Sequence, residues 1–392
     1  MVQIKAIRED GFFVVTFAPM LLGNPYLKRA LLFAFGLKLF YLLLGNLLPN
    51  GWNGIEHVLD VFARNDSGWY NLISREGYPT APPAEWQQTP FAFFPLYPSF
   101  IALFRLPVSW FIQNPDLIYV AASFLAHLPL TWLWVVMLFK WLESAGMESR
   151  RIFIYSIFFQ VFPYHFFYHM FYSEMLFSIL FMWALLSVFR KAHLSLAAAV
   201  ALLTLCRPTG IVFSAGLGLW VLADNGWFRI LKEKEKIKQI LALLAAPTAL
   251  VMWMVYLHFH CGDAMAFSHT QSAWGHAYTW PWESFFAGGQ WYQQAMSVYV
   301  MILVGLTIML FRKAGTGEKL FVAVNVLFPL ITGTVASFYR YFSVIPQFFV
   351  RFFTLLESRW KWVVGICMLI NLILYYVWIS VLSPRPEAWL TY

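Results

Sequence analysis

The chain has 392 residues, of which 60% are hydrophobic and only 12% charged, with a formal net charge of +8. A water-soluble domain carries roughly 25% charged residues, and 40 Phe, 19 Trp and 19 Tyr cannot all hide inside one water-facing core. An ordinary soluble enzyme is thereby excluded, and the basic residues, confined to short loops, form no stripe of the kind a nucleic acid would need.

Apolar runs of about 20 residues, the length that crosses a bilayer, recur along the whole chain. Backbone groups in lipid must pair within their own segment, so these runs read as helices and the fold class as all-α, a polytopic membrane helical bundle. Lys5 and Arg8 precede an apolar stretch at 12–22, loosely like a signal peptide. It ends in Gly23-Asn24-Pro25 with no small-x-small cleavage site, so a retained interfacial segment is expected. Candidate spans follow at about 27–48, 116–140, 151–163, 172–189, 195–206, 208–223, 239–259, 295–311, 320–337, 341–356 and 361–383.

Lys and Arg cluster at Lys28/Arg29, Lys140/Arg150/Arg151, Arg190/Lys191, Arg229 to Lys238, Arg312/Lys313/Lys319 and Arg359/Lys361. The positive-inside rule puts all six on the cytoplasmic side. The first long loop, 50–90, and the second, 261–292, are then extracytoplasmic. Parity between the first loop and the basic stretch at 140–151 requires an odd number of crossings. The segment 91–112, interrupted by Pro95, Pro98, Arg105 and Pro107, is therefore read as broken or re-entrant. The count becomes about 11 spans (10–13) in a single integral-membrane domain, 1–392. Pro163 and Pro208 end two short runs, because proline disfavours helical geometry in the residue before it.

In the first loop, Val58, Leu59, Phe62, Trp69, Tyr70 and Ile73 follow helical spacing and predict an amphipathic helix on the membrane surface. Asp66 falls on the same stripe, where a carboxylate is costly unless used or paired. It is a candidate catalytic base, and equally a candidate N-cap for a helix beginning at Ser67. Asp60 and Glu56 are weaker candidates. Glu174 opens an apolar helix, where an acid is either functional or favoured by the helix dipole. His165 and His169 stand nearby at the same hairpin and read as ordinary interfacial residues from pattern alone. Arg207 and Arg340 sit at the ends of apolar runs, on the side opposite to the basic clusters, and suit a bidentate phosphate contact; snorkelling to headgroups is the alternative. Lys38, deep in the first span, must face protein or water. The spacing of His258, His260, Cys261 and Asp263 is too nonspecific for a metal site, and the three cysteines form no CxxC pair.

Taken in order, several segments resemble the PIG-V family of mannosyltransferases and its bacterial relatives, within the GT-C class of multi-span glycosyltransferases. They are Arg64-Asn65-Asp66 with Tyr70 and Gly77-Tyr78; Phe93-Phe94-Pro95-Leu96-Tyr97-Pro98; Tyr172-Ser173-Glu174-Met175-Leu176-Phe177; Arg207-Pro208-Thr209-Gly210; Gly262-Asp263-Ala264-Met265-Ala266-Phe267 followed by Gln271-Ser272-Ala273-Trp274-Gly275; and Ser337-Phe338-Tyr339-Arg340-Tyr341. They cover about residues 57–345. One departure is Asn65, which stands where that family usually has Trp.

The resemblance implies a GT-C-like bundle with its active site facing the periplasm or exterior of a bacterial cytoplasmic membrane. It implies a polyprenyl-phosphate sugar donor, most often of mannose, and a glycolipid, glycan or protein acceptor. Asp66 matches the loop acid, Glu174 the hairpin acid, and Arg207 and Arg340 the basic positions. Tyr341, Tyr70, His165, Gln271 and Trp274, in or beside the matching segments, complete the expected donor-binding set. With a monophosphate leaving group no metal or other cofactor is expected. A lipid or polyol transporter or flippase, with its broken helices and intramembrane charges, and a non-catalytic subunit that binds a lipid-linked sugar are the rival readings.

Overall fold

The computed structural model describes residues 23–49, 51, 54, 57–224, 233–286, 291–335 and 337–383. Glu56 and the apolar stretch at 12–22 lie outside them. The described chain is helical, without a strand among the described residues. Contact density divides it into two compact units, one of residues 1–77, 95–182 and 353–392, the other of residues 78–94 and 183–352.

The first unit holds α1 (Pro25–Leu47), α2 (Ser67–Glu76), α3 (Leu96–Val108), α4 (Pro115–Ser144) and α5 (Ser149–Val161). The start of α6 (Glu174–Arg190) and the carboxyl-terminal α16 (Trp360–Val377) also belong to it. Two of the long helices begin with the same device. Asn24 Oδ1 accepts from the N–H groups of Tyr26 and Leu27, and Asn114 Oδ1 from those of Asp116 and Leu117, with proline at the first helical position each time. The cap satisfies two of the N–H groups a helix start leaves unpaired, and proline has no N–H to lose there. α1 packs on α4 and α5, α2 on α3, α3 on α4, and α16 on α5.

The second unit holds α7 (His193–Cys206), α8 (Thr209–Asp224), α9 (Lys234–Leu243), α10 (Ala245–Cys261), α11 (Ala266–His269), α12 (Trp291–Phe311), α13 (Thr316–Leu330) and α14 (Phe338–Ser343). The start of α15 (Pro346–Leu356) belongs to it too. α13 packs on α8, α10 on α7, and α7 on α8. Arg351 donates from Nε to Glu318 Oε1 at 3.1 Å and lies 4.8 Å from the Phe311 ring centroid, joining α15 to α13 and α12.

Among the described residues five helical runs are long and apolar enough to cross a membrane: Pro25–Leu47, Pro115–Ser144, Lys234–Cys261, Trp291–Phe311 and Pro346–Leu382. Their uncovered faces are apolar, as at Leu32, Leu39 and Leu43 of α1, Met252 and Phe259 of α10, and Trp362, Ile366 and Leu369 of α16. Surfaces this apolar are stable against lipid and not against water, so the protein is a helical membrane protein.

Other expected spans are short. α5, α7, α8 and α13 have 13, 14, 16 and 15 residues. At ~1.5 Å per residue they run roughly 20–24 Å, against ~30 Å of hydrocarbon. The run expected at 320–337 stops at Leu330, after Pro329, with Gly333 at φ +82° beyond it. The broken segment at 91–112 is a 3₁₀ turn, Pro90–Ala92, then α3 of 13 residues. The amphipathic stripe of the first loop is not one helix. A 3₁₀ turn at Asp60–Phe62 and α2 are separated by Asn65 in the left-handed region, φ +49°. Asn tolerates that conformation better than a bulky residue does.

At Gly210 the second unit has no room for a side chain. A methyl group there would press into the backbone of Leu203 and Thr204, where α7 turns into α8. We expect Gly210→Ala to destabilise the protein by about 1–3 kcal/mol, the usual cost of overpacking, read as a lowered thermal midpoint of the detergent-solubilised chain.

Candidate functional site

In the first unit the two acids singled out above are carried by segments that are stitched together. Asp66 is the N-cap residue of α2, but its side chain makes no cap bond to the helix N–H groups. The capping explanation for this carboxylate therefore falls away. Asp66 is half-buried, whereas Arg64 before it and Ser67 after it are fully buried. Glu174 is the first residue of α6 and wholly buried.

Three hydrogen bonds link the loop and the hairpin. Tyr172 Oη donates to the Arg64 carbonyl at 2.7 Å, Tyr70 Oη and Ser173 Oγ are 3.0 Å apart, and the Phe171 N–H donates to the Phe62 carbonyl at 3.0 Å. The rings of Phe62 and Phe171 meet edge to face. The loop and hairpin acids, 108 positions apart in the chain, thus start helices whose approaches are bonded residue to residue. Tyr70, expected as a binding residue, serves as one of those bonds and packs edge to face on Tyr97. Tyr97 in turn is hydrogen-bonded to His127 at 2.7 Å.

His165 is placed differently from an interfacial residue. Its Nδ1 bonds to the Phe159 carbonyl, and the rings of Phe159, Phe162 and Tyr168 surround it. Burial pushes its pKa, and that of His169, below the ordinary histidine range. Both are therefore neutral core imidazoles at pH 7. Asp60, half of a His57–Asp60 contact at 2.9 Å, has its pKa raised chiefly by burial, against a lowering by His57.

In the second unit the two arginines are carried by α7 and α14. Arg207 follows the last residue of α7 in extended geometry, and Arg340 lies within α14. They are only 9% and 8% exposed, so neither snorkels toward headgroups as surface cations do. The Arg207 guanidinium lies over the Tyr341 ring, 5.2 Å from its centroid. That contact joins Arg207 to the helix that carries Arg340 and Tyr341, 133 positions further along the chain. A buried guanidinium backed by an aromatic ring suits an anionic oxygen group.

Gln271 and Trp274 lie on a 3₁₀ turn at Thr270–Trp274. Gln271 Nε2 donates to the Phe267 carbonyl at 3.2 Å, and Trp274 meets Phe93 edge to face. Thr89 Oγ1 and Thr270 Oγ1 are 2.9 Å apart, which ties this turn to the aromatic–proline segment of the same unit. The cluster that could have read as metal ligands has other partners. His260 Nε2 bonds to the Tyr78 carbonyl at 2.8 Å, Cys261 Sγ to the Leu257 carbonyl at 3.2 Å, and Asp263 Oδ2 to His269 Nδ1 at 2.7 Å. Among the described residues no group of three or more His, Cys, Asp and Glu could hold a metal ion.

Pattern reading missed the roles of Ser67, Tyr119 and Ser173, because a hydroxyl in an apolar run gives no periodic signal. Ser67 Oγ and Tyr119 Oη are 2.7 Å apart and pin α2 to α4. No protein-family model matches the chain, and no curated protein or solved structure is significantly similar to it.

Neutral buried imidazoles make stability depend on pH. The folded-state pKa of His165 is lowered, so its contribution is complete above the unfolded value of ~6.5 and is lost as pH falls below it. We expect the thermal midpoint to drop between about pH 6.5 and pH 4, and His165→Asn to flatten that drop. The check is a melting series across this range for both proteins.

Proposed function

We propose that the protein is a membrane glycosyltransferase resembling the PIG-V family in the GT-C class, moving a sugar, mannose in the first instance, from a polyprenyl phosphate to an acceptor hydroxyl. What carries this reading is the bonding of the Asp66 and Glu174 approaches to each other through Tyr172, Ser173 and Phe171. Two acids delivered to one region of a lipid-embedded fold are expensive, and such a cost is usually met for chemistry. In this reading the chain makes about eleven crossings, counting the short helices, with its reaction on the extracytoplasmic side.

Asp66 is the general base. Its side chain, not engaged in capping α2, takes the proton of the acceptor hydroxyl. The acceptor oxygen forms a bond to the anomeric carbon as the bond from that carbon to the phosphate oxygen breaks, and configuration inverts. A carboxylate of ordinary basicity serves when the hydroxyl is held within hydrogen-bond reach. The leaving group is a lipid phosphate that gains negative charge in the transition state, and the resemblance assigns its stabilisation to the basic positions Arg207 and Arg340. Glu174, buried at the helix start, accepts hydroxyls of the sugar.

Incubation of the purified full chain with a panel of polyprenyl-phosphate sugars, read by mass spectrometry, tests the proposal. Transfer or slow hydrolysis of at least one donor is expected. Asp66→Asn should lower the rate about 10²–10⁴-fold, the usual contribution of a general base, with the donor KM nearly unchanged. Arg207→Gln and Arg340→Gln should each cost roughly tenfold or more in kcat/KM. Full transfer by Asp66→Asn, or lipid movement across reconstituted vesicles without sugar transfer, would refute it, the second outcome in favour of a flippase.

A further inference from the structure

Lys38 sits in the middle of α1, 2% exposed, in a helix otherwise apolar enough to cross a membrane. Its ammonium group donates to the carbonyl of His169 at 2.9 Å and lies 5.3 Å from the centroid of the Phe62 ring. Among the described residues it has no ion-pair partner. A buried amino group without a counter-charge is costly to place there, so its presence calls for a reason. The two groups it does touch are informative. Phe62 stands four residues before Asp66, and His169 five residues before Glu174. Between these contacts run the Phe171–Phe62 backbone bond and the edge-to-face pair of the same two rings. The Tyr41 ring, one helical turn along α1, rests against the His169 ring at 5.2 Å and is held by Asn371 and Tyr375 of α16. One face of α1 thus supports both acid-bearing segments from beneath.

We propose that Lys38 is a positioning residue, a buried ammonium clamp that holds the hairpin of Glu174 against the loop of Asp66. The part played by the acids themselves rests on the glycosyltransferase reading; the clamp does not. His169 caps the 3₁₀ turn His165–Tyr168 and no helix continues past it, so Lys38 supplies the donor this oxygen would otherwise lack in an apolar core. Its stem and charge against Phe62 fix the loop from the other side.

The test compares Lys38→Met and Lys38→Arg with the unchanged full chain in lipid nanodiscs. Three quantities are read: thermal midpoint, hydrogen exchange of peptides covering 57–66 and 165–173, and the kcat and KM of sugar transfer. Lys38→Met removes the donor and keeps the volume. The clamp requires exchange at the Phe171 amide faster by about tenfold, and kcat per folded protein lower by about tenfold to a hundredfold with donor KM within about twofold. Lys38→Arg, which keeps a cationic donor, should recover part of both kcat and protection. Unchanged exchange and unchanged kcat in Lys38→Met would overturn the proposal. So would a fall in midpoint with activity lost only in step with the folded fraction. If the parent chain transfers no sugar from any donor, the glycosyltransferase reading fails by itself, and the exchange result alone upholds or overturns the clamp.

Discussion

An unpaired backbone carbonyl in a lipid-embedded core has no water to turn to, and this fold departs from the helix in several buried places. Several carbonyls at or beside these departures accept from a side chain. In the first unit Tyr172 serves the Arg64 carbonyl, Lys38 that of His169, and the Nδ1 of His165 that of Phe159. In the second unit His260 serves the Tyr78 carbonyl, the Tyr78 hydroxyl that of Phe93, and Ser284 that of Leu330. Some polar residues are thus partners for irregular backbone, while others, such as Thr204, Thr307 and Asn325, bond back to a carbonyl of their own helix.

The same bonds have a second consequence. A carboxylate useful for catalysis must be held within a fraction of an ångström of its working position. Loops seldom manage this alone, because their backbone is free to move. Here the loop before α2 is bonded to the hairpin before α6, α2 is pinned to α4 by Ser67 and Tyr119, and Arg105 of α3 donates to Asn71 of α2 at 3.0 Å. Asp66 and Glu174 therefore stand on segments as constrained as helices. In the other unit Arg207 and Arg340 are both buried, and Arg207 also lies over the Tyr341 ring.

Part of this was legible beforehand. Prolines at 163 and 208 marked two helix stops, because ring geometry acts on the neighbouring residue. The first-loop stripe misled, since Val58 to Ile73 fits one helix by spacing and one left-handed residue, Asn65, interrupts it. Spacing averages over many positions and cannot register a single dihedral. His165 misled for another reason: an imidazole between aromatics reads alike whether the rings face lipid, water or each other.

Sequence alone determined that the solvent for most of this chain is lipid, that its elements are helices, and which few charged residues sit at odds with their apolar surroundings. Those are local or compositional properties, set by transfer free energies and by hydrogen bonds that close within one segment. Tertiary structure decided the rest: that Asp66 caps nothing, that Tyr172 and Ser173 bind its segment to that of Glu174, that Arg207 stacks on Tyr341, and that Lys38 reaches a carbonyl 131 positions away. Each depends on where two distant segments meet, and no pattern along the chain encodes that distance.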